Sequence, residues 1–185
     1  MPRKIEVLPY NPGWPVRYVG EMEKVSAGLN PCLLEHHHIG STAIPGLAAK
    51  PTIDILCVVE SLEALDGCNQ AMIDFGYQPK GENGNPGRRY FQKVEDTVHL
   101  FHIHAYAPGH PDILRHLNFR DYLRSHPDEA RAYQDLKTQL AQLHSFEPEQ
   151  YTSGKAAFIL AVEYRAAAWR VELGLPATSS GLDNL

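Results

Sequence analysis

The stretch HHIGSTAIPGLAAKPTIDILCVV, residues 37–59, decides the fold of this sequence. It predicts the end of a first strand, residues 32–39, then a loop of small residues, then a second strand, residues 52–59. The second strand is an almost unbroken run of Ile, Leu, Cys and Val, which is typical of a strand covered on both faces. The order of strand, Gly-Ser loop and buried strand indicates a mixed α/β domain.

One carboxylate stands inside this apolar strand. Asp54 is costly to bury unless it is paired or binds a cation, and alternation along the strand puts it on the same face as Thr52. Before the strand, Gly40 and Ser41 offer backbone N–H groups and a hydroxyl of the kind that grip a phosphate. We interpret Asp54 as the floor of a ligand cleft; the alternative is a structural ion pair with Lys50 or an arginine.

Histidines are frequent, at 10 in 185 residues, and two clusters follow the alternation of a strand. That alternation puts His102 and His104 on one face and His99 on the other. Two imidazoles on one face can bind a transition metal, or phosphate oxygens when protonated; the alternative is a pair of solvated histidines on an exposed face. His36 and His38 share a face in the same way, and the sequence leaves their part in the site open.

Candidate phosphate ligands outside the Gly-Ser pair are one hydroxyl and four basic residues. Thr42 follows the pair, Lys50 precedes the buried strand, and Arg89 follows a glycine-rich loop. Arg120 lies on one predicted helix and Lys155 near the start of another. Each basic residue alone is usually a solvated surface charge, but together they can neutralise a polyphosphate.

The remaining elements follow from periodicity and turn residues. Apolar residues at every third or fourth position predict helices, and two runs around the turn at 95–97 predict a pair of strands. The predicted helices are 15–29, 62–75, 111–125, 127–143 and 148–173, and the predicted strands are 88–94 and 99–105. We expect one domain over residues 1–175 with a helical C-terminal part, and a disordered tail over residues 176–185.

Composition and charge limit the class of partner. The net charge of −5 argues against a large nucleic-acid partner, because proteins that coat nucleic acid usually carry a basic excess. No apolar stretch is long enough to span a membrane and no secretory signal begins the sequence, so we expect a cytoplasmic protein. The phosphate-binding loop GxxxxGKS/T and the patterns GxGxxG, HExxH and GxSxG are absent from the sequence.

Five segments, in order along the sequence, are similar to one known family. The central one is residues 37–59. The others are VLPYNPGWP at 7–15, RRYFQK at 88–93, LNFRDYLRSHP at 117–127 and YTSGKAAFI at 151–159. On these segments, which together reach across nearly the whole chain, the sequence resembles the GrpB family.

This resemblance implies a nucleotidyltransferase fold of the DNA polymerase β type, with a mixed sheet, flanking helices and a helical C-terminal part. Related domains are fused to dephospho-CoA kinase in some organisms. Active nucleotidyltransferases carry a Gly-Ser pair, then two carboxylates separated by one apolar residue, and a third carboxylate on a later strand. The three carboxylates together hold two Mg²⁺ ions. In this sequence Asp54 matches the second carboxylate, Thr52 takes the place of the first, and His102 and His104 occupy the later strand.

Three hypotheses for the function follow. The first is a protein that binds a nucleotide or CoA-like phosphorylated ligand. It would not be catalytic, because two of the three carboxylates of active nucleotidyltransferases are absent. The second is a metal-dependent nucleotidyl- or phosphoryl-transfer enzyme that uses Asp54, His102 and His104 as metal ligands and catalytic groups, with Mg, Mn or Zn. The third is an interaction protein that uses the C-terminal helices. The ligand, the metal and the oligomeric state are left open.

Overall fold

The structure is a computed structural model that describes residues 4–30 and 32–175. Over these residues the chain forms a mixed arrangement of strands and α-helices. The strands are β1 (Leu33–Ile39), β2 (Ile53–Val59), β3 (Tyr77–Pro79), β4 (Arg88–Glu95) and β5 (Val98–Tyr106). The helices are α1 (Gly13–Leu29), α2 (Leu62–Gly67), α3 (Asn69–Asp74), α4 (Pro111–Ser125), α5 (Pro127–Leu143), α6 (Pro148–Gly154) and α7 (Ala156–Glu172).

The strands form a mixed sheet in the order β1-β2-β5-β4-β3 over the described ranges. The neighbours β2 and β5 run parallel, and the other neighbouring pairs are antiparallel. The mixed α/β fold expected from the sequence is therefore confirmed. The parallel pair matters for function, because it brings the start of β2 and the middle of β5 side by side.

Helices cover both faces of the sheet. On one face, α1, α2 and α3 pack on Ile53, Ile55 and Cys57 of β2 and on the neighbouring strands. On the other face, α4 packs on Leu56 and Val58 of the same strand. The prediction that β2 is covered on both faces is confirmed, and Asp54 is its partly exposed residue on the face that α4 covers.

A second apolar cluster joins the C-terminal helices to the loop after β1. Ile44 and Leu47 of that loop are buried against Tyr122 and Leu123 of α4, Tyr133 of α5, and α7. This packing fixes the loop from the side away from the sheet. The C-terminal helices therefore cover the loop that carries the Gly-Ser turn.

Two predicted helices are each interrupted. The segment 62–75 forms α2 and α3, because Gly67 has a low helix propensity and Cys68 takes a backbone conformation of φ −89° and ψ 0°. The segment 148–173 forms α6 and α7, with Lys155 between them. Gly154 packs so closely on α5 that a Cβ atom there would lie 2.7 Å from the side chain of Leu140.

The sequence analysis missed β3, a three-residue edge strand with too few residues for an alternating pattern. The predicted hairpin is confirmed, and its turn residues Asp96 and Thr97 have the positive φ angles of 45° and 74° that a tight hairpin turn requires. Residues 176–185, where we expect a disordered tail, lie outside the described residues. Within the described part of the chain, the helices are too short or too polar to cross a membrane.

Candidate functional site

The Gly-Ser turn passes directly over Asp54. Gly40 follows β1 with a φ of 70°, and a Cβ atom at this position would lie 2.7 Å from Oδ2 of Asp54. Only glycine fits both the backbone conformation and the contact. The next residues, Ser41–Ala43, form a single 3₁₀ turn, which presents the Ser41 side chain to the cleft described below.

Asp54 and two histidines meet across the parallel strands. Asp54 is paired in register with His102 of β5, and Leu56 with His104. The Oδ1 atom of Asp54 accepts a hydrogen bond from Nδ1 of His102 at 3.2 Å and lies 3.8 Å from Nε2 of His104. Burial alone raises the pKa of Asp54, but the hydrogen bonds and charges of His102 and His104 outweigh it and hold the pKa well below its usual range.

His99 lies on the same side as His102, which corrects the expectation from simple alternation. The β4–β5 pairing passes from Lys93 opposite Phe101 to Val94 opposite His99, so β5 has one extra residue at a bulge. The extra residue reverses the side on which His99 points. Its Nδ1 atom lies 2.9 Å from Nε2 of His102.

The side chains around Asp54 do not supply the ligands that the two Mg²⁺ ions of an active nucleotidyltransferase need. Thr52, in the place of the first carboxylate, donates its hydroxyl hydrogen to the carbonyl oxygen of His99 at 2.9 Å. Across residues 4–30 and 32–175, no group of three or more His, Cys, Asp or Glu side chains is arranged to hold a metal ion. Metal binding by Asp54, His102 and His104 therefore stays a prediction, and it needs these side chains to move.

A cleft of about 310 Å³ opens beside Asp54. The cleft lies between the sheet, the Gly-Ser turn and the helices α4 to α7. Asp54 forms an acidic floor, and lysines form a basic wall. Its lining residues are Gly40, Ser41, Thr42, Lys50, Thr52, Asp54, His102, Arg115, His116, Phe119, Tyr133, Lys137, Tyr151, Lys155, Ile159 and Glu163.

Three lysines form the basic wall. The Nζ atoms of Lys50 and Lys155 lie 5.8 Å and 4.3 Å from the centre of the Tyr151 ring, and Nζ of Lys137 lies 4.7 Å from the centre of the Tyr133 ring. Lys137 is only 2% exposed. Burial and the charge of Lys155 lower the pKa of Lys137 to about 7. Burial and the charge of Lys50 lower the pKa of Lys155 to about 8, against the opposing effect of Asp54.

The helical part also holds the loop that carries Ser41. From α4, Arg124 donates hydrogen bonds to the carbonyl oxygen of Ala43 from Nε at 3.0 Å and Nη2 at 2.7 Å. From α5, the side chain of Gln134 accepts the backbone N–H of Ala48 at 2.8 Å, and Lys137 donates to the carbonyl oxygen of the same residue. The position of the Gly-Ser turn is therefore set by α4 and α5.

Two of the predicted phosphate ligands lie elsewhere. Arg89 is opposite Ala105, on the sheet face that α1 to α3 cover, and forms a bidentate ion pair with Asp66 at 2.7 Å. Arg120 donates from Nη1 to the carbonyl oxygen of His38 at 3.1 Å and pairs with its neighbour Asp121. These contacts make Arg89 a support of α2 and Arg120 a support of β1.

Thr42, His36 and His38 also have structural contacts. Thr42 lines the cleft, but its hydroxyl is buried, 3.0 Å from Nε2 of His38 and 3.4 Å from the carbonyl oxygen of Thr52. His36 and His38 pack against Tyr18 of α1, with 2.7 Å between Nδ1 of His36 and the Tyr18 hydroxyl. The pair on β1 therefore lies on the sheet face opposite Asp54.

Several cleft residues were missed because they come from the C-terminal helices. Lys137 had a detectable signal, since it falls between Tyr133 and Ala141 at four-residue steps on the buried stripe of α5. A lysine at a buried helix position is uncommon and indicates a special environment. The others, Arg115, His116, Tyr151 and Glu163, come together only in the folded chain.

Comparison with known proteins gives the family. The sequence matches the GrpB protein family over residues 4–165. It is 46% identical over 168 residues to the UPF0157 protein YqkA of Bacillus subtilis, in an alignment that covers 91% of this chain and 49% of YqkA. The chain thus spans about half the length of that relative. It is also 26% identical over 194 residues to the dephospho-CoA kinase of Mycolicibacterium paratuberculosis, covering 92% of this chain and 48% of the kinase.

Solved structures agree with the fold. The crystal structure of the conserved protein GrpB from Enterococcus faecalis superposes with a TM-score of 0.83 at 40% identity, covering 87% of this chain and 96% of that one. Terminal uridylyl transferase 4 from Trypanosoma brucei superposes with a TM-score of 0.54 at 12% identity, covering 88% and 56%. The second likeness confirms the nucleotidyltransferase fold and nothing finer. The chain belongs to the GrpB family.

Proposed function

We propose that this protein binds a small phosphorylated ligand, a nucleotide or a CoA derivative, in the cleft between Ser41 and Asp54. The observation that carries the proposal is the convergence of Lys50, Lys137 and Lys155 on the same cleft as the Ser41 hydroxyl. Lys137 is buried and Lys155 is partly buried. A buried cation without a paired carboxylate is costly, and an anionic ligand lowers that cost. A hydroxyl on a tight turn beside such cations is a suitable partner for phosphate oxygens.

The proposed function is binding without nucleotidyl transfer. Transfer in this fold needs carboxylates that hold two Mg²⁺ ions. The hydroxyl of Thr52 is already donated to the carbonyl oxygen of His99, and Asp54 is the one carboxylate left of the template set. Support for a CoA derivative comes from the similarity to dephospho-CoA kinase, although the sequence has no phosphate-binding loop GxxxxGKS/T.

The test is a thermal-shift panel of nucleotides and CoA derivatives, with and without Mg²⁺, Mn²⁺ and Zn²⁺. We expect a ligand-dependent rise in melting temperature without formation of product. Lys155→Met removes one of the three lysine charges of the cleft and should reduce the shift, whereas Lys80→Met, at an exposed position, should retain it. A panel in which no compound raises the melting temperature contradicts the proposal.

A second candidate is metal-dependent nucleotidyl or phosphoryl transfer with Asp54, His102 and His104. It is favoured by the ionised state of Asp54, whose pKa is held low, beside the imidazoles of His102 and His104. Product formation that depends on Mn²⁺ or Zn²⁺ and disappears in Asp54→Ala would replace the binding proposal with this one. Folded protein that forms no product across the panel eliminates it.

A further inference from the structure

Two cysteines lie side by side on the sheet face that α1, α2 and α3 cover, away from the cleft. The Sγ atoms of Cys32 and Cys68 are 3.8 Å apart, although the residues are separated by 36 positions in the chain. Cys32 immediately precedes β1, and Cys68 stands between α2 and α3. Both side chains belong to the apolar cluster on this face, and both are free thiols. Tertiary packing therefore brings two thiols from distant parts of the chain into contact.

Backbone hydrogen bonds hold each cysteine in this position. The N–H of Cys32 donates to the carbonyl oxygen of Leu29 at 2.7 Å, and its own carbonyl oxygen accepts the N–H of Glu60 at 2.8 Å. Cys68 lies at the break between the two short helices, and its Sγ donates to the carbonyl oxygen of Ala64 at 3.6 Å. The contact between the two sulfurs is therefore a fixed feature of this face.

The thiols differ in their access to solvent. Cys32 is 1% exposed, whereas Cys68 is partly exposed. Burial and the hydrogen bond with Cys68 raise the pKa of the Cys32 thiol to about 11, so Cys32 is protonated near neutral pH. The third cysteine, Cys57 of β2, is fully buried. An oxidant in solution therefore meets Cys68 first, and Cys32 can react only with the oxidised form of its neighbour.

We propose that Cys32 and Cys68 form a redox pair that a peroxide converts into a disulfide. In the first step hydrogen peroxide transfers an oxygen atom to the Cys68 sulfur, which becomes a sulfenic acid, and water is released. In the second step the Cys32 sulfur attacks the Cys68 sulfur. The S–S bond forms, the S–O bond breaks, and the hydroxide leaves as water with the proton of Cys32. The two thiols lose two electrons and two protons in total, and the peroxide is reduced to two molecules of water.

The disulfide links the start of β1 to the junction of α2 and α3. The loop that it closes contains β1, the Gly-Ser turn and β2. A cross-link that closes a long loop stabilises the folded state, chiefly because it restricts the unfolded chain. Oxidation should therefore make the sheet more resistant to unfolding. This inference goes beyond the proposed function and does not depend on any ligand of the cleft.

The experiment treats the reduced full chain with a small excess of hydrogen peroxide and then unfolds it in the presence of iodoacetamide. We expect one alkylated cysteine in place of three, and peptide mass mapping should find Cys32 joined to Cys68. The melting temperature should rise by about 5 °C or more and return to its first value after reduction. Cys57→Ala is the matched control and should form the same disulfide, whereas Cys68→Ala should form none.

Several results would overturn the redox pair. Three alkylated cysteines after peroxide treatment contradict it, and so does a disulfide that includes Cys57. Oxidation of Cys68 to a sulfinic acid in place of the disulfide also contradicts it, because a thiol in contact should capture the sulfenic acid first. If Cys32→Ala fails to fold, as judged by its circular dichroism, Cys68→Ala decides the result. A peroxide-dependent rise in the melting temperature of that variant is then evidence against the proposal.

Discussion

Asp54 and His102 stand opposite each other on the parallel strands β2 and β5, and the carboxylate Oδ1 accepts a hydrogen bond from the ring Nδ1 at 3.2 Å. The other ring nitrogen of His102 lies 2.9 Å from Nδ1 of His99. Both ring nitrogens of His102 are therefore engaged, one by the carboxylate and the other by His99. A chain of hydrogen bonds thus runs from Asp54 through His102 to His99. It orients Asp54, which matches one of the three carboxylates of active nucleotidyltransferases.

Replacing Asp54 by Asn should destabilise the protein in a pH-dependent way. The pKa of Asp54 is lower in the folded chain than in the unfolded chain, so its stabilising contribution is fully present above the unfolded pKa of about 4. This contribution is lost as pH falls through the folded pKa. We expect Asp54→Asn to lower the free energy of unfolding by about 1–3 kcal/mol at pH 7. Urea unfolding between pH 7 and pH 2 should show the difference shrinking below about pH 4; a constant difference contradicts the assignment.

Gly40→Ala should be more destabilising than Gly46→Ala, although both residues belong to the same loop. Both have a positive φ, 70° and 79°, so each alanine bears the conformational cost of about 1–2 kcal/mol. At Gly40 the new Cβ also meets Asp54 at 2.7 Å, whereas at Gly46 no atom lies within 4 Å. We expect an additional loss of about 1–3 kcal/mol from this contact. Thermal unfolding of both variants measures it, and equal losses would show that the contact is relieved at no cost.

Arg124→Met should weaken ligand binding although Arg124 contacts the loop backbone and not the ligand. Its two hydrogen bonds to the Ala43 carbonyl hold the segment that carries Ser41. Their loss should increase amide hydrogen exchange in residues 40–46 and reduce affinity several-fold. Two results for Arg124→Met would argue against this positioning role. One is amide exchange that increases only outside residues 40–46, and the other is unchanged exchange in the loop with wild-type ligand affinity.

Arg89→Met should leave ligand affinity unchanged, because Arg89 lies on the opposite sheet face and pairs with Asp66. The pair is partly exposed, with side-chain exposures of 22% and 41%. We therefore expect a loss of about 0.2–1 kcal/mol in the free energy of unfolding. Calorimetric titration beside the wild type checks the affinity. A clear loss of affinity would return Arg89 to the list of ligand-binding residues.

The stability of the wild type should rise relative to that of Lys137→Met as pH increases from 7 to 10. Burial and Lys155 lower the pKa of Lys137 to about 7, below the unfolded value of about 10.4. Between these values the unfolded chain binds more protons at Lys137, so deprotonation favours the folded state. Chemical unfolding at several pH values measures the slope, with Lys24→Met as control. A parallel pair of stability curves for the wild type and Lys137→Met contradicts the prediction.

The sequence predicted most of the fold because the pattern of each main element is local. The run at β2, the bounds of α4 and α5, and the hairpin of β4 and β5 all follow from periodicity and turn residues. The interruption at Lys155 could not be predicted in this way, since it depends on the close packing of Gly154 on Leu140. The three-residue strand β3 has too little sequence for any pattern.

The candidate site was predicted on its sheet side and, apart from Lys155, missed on its helix side. Alternation along each strand gave the face of Asp54 and that of His102, and the family resemblance related both strands to the Gly-Ser turn. Their direct pairing joins residues 48 apart in the chain. Lys137 lies 96 residues beyond Ser41 in the chain, and only tertiary packing brings the two into one cleft. His99 shows the opposite case, where a single bulge reversed a side that alternation had assigned.

The hydrogen bonds from α4 and α5 to the Gly-Ser loop also determine when this loop can take its final position during protein synthesis. Arg124 and Lys137 reach back across 81 and 89 residues to the carbonyl oxygens of Ala43 and Ala48. A ribosome has therefore released the whole sheet and the Gly-Ser turn before the loop receives its anchors. The loop that carries Ser41 therefore reaches its anchored position only after α4 and α5 have left the ribosome.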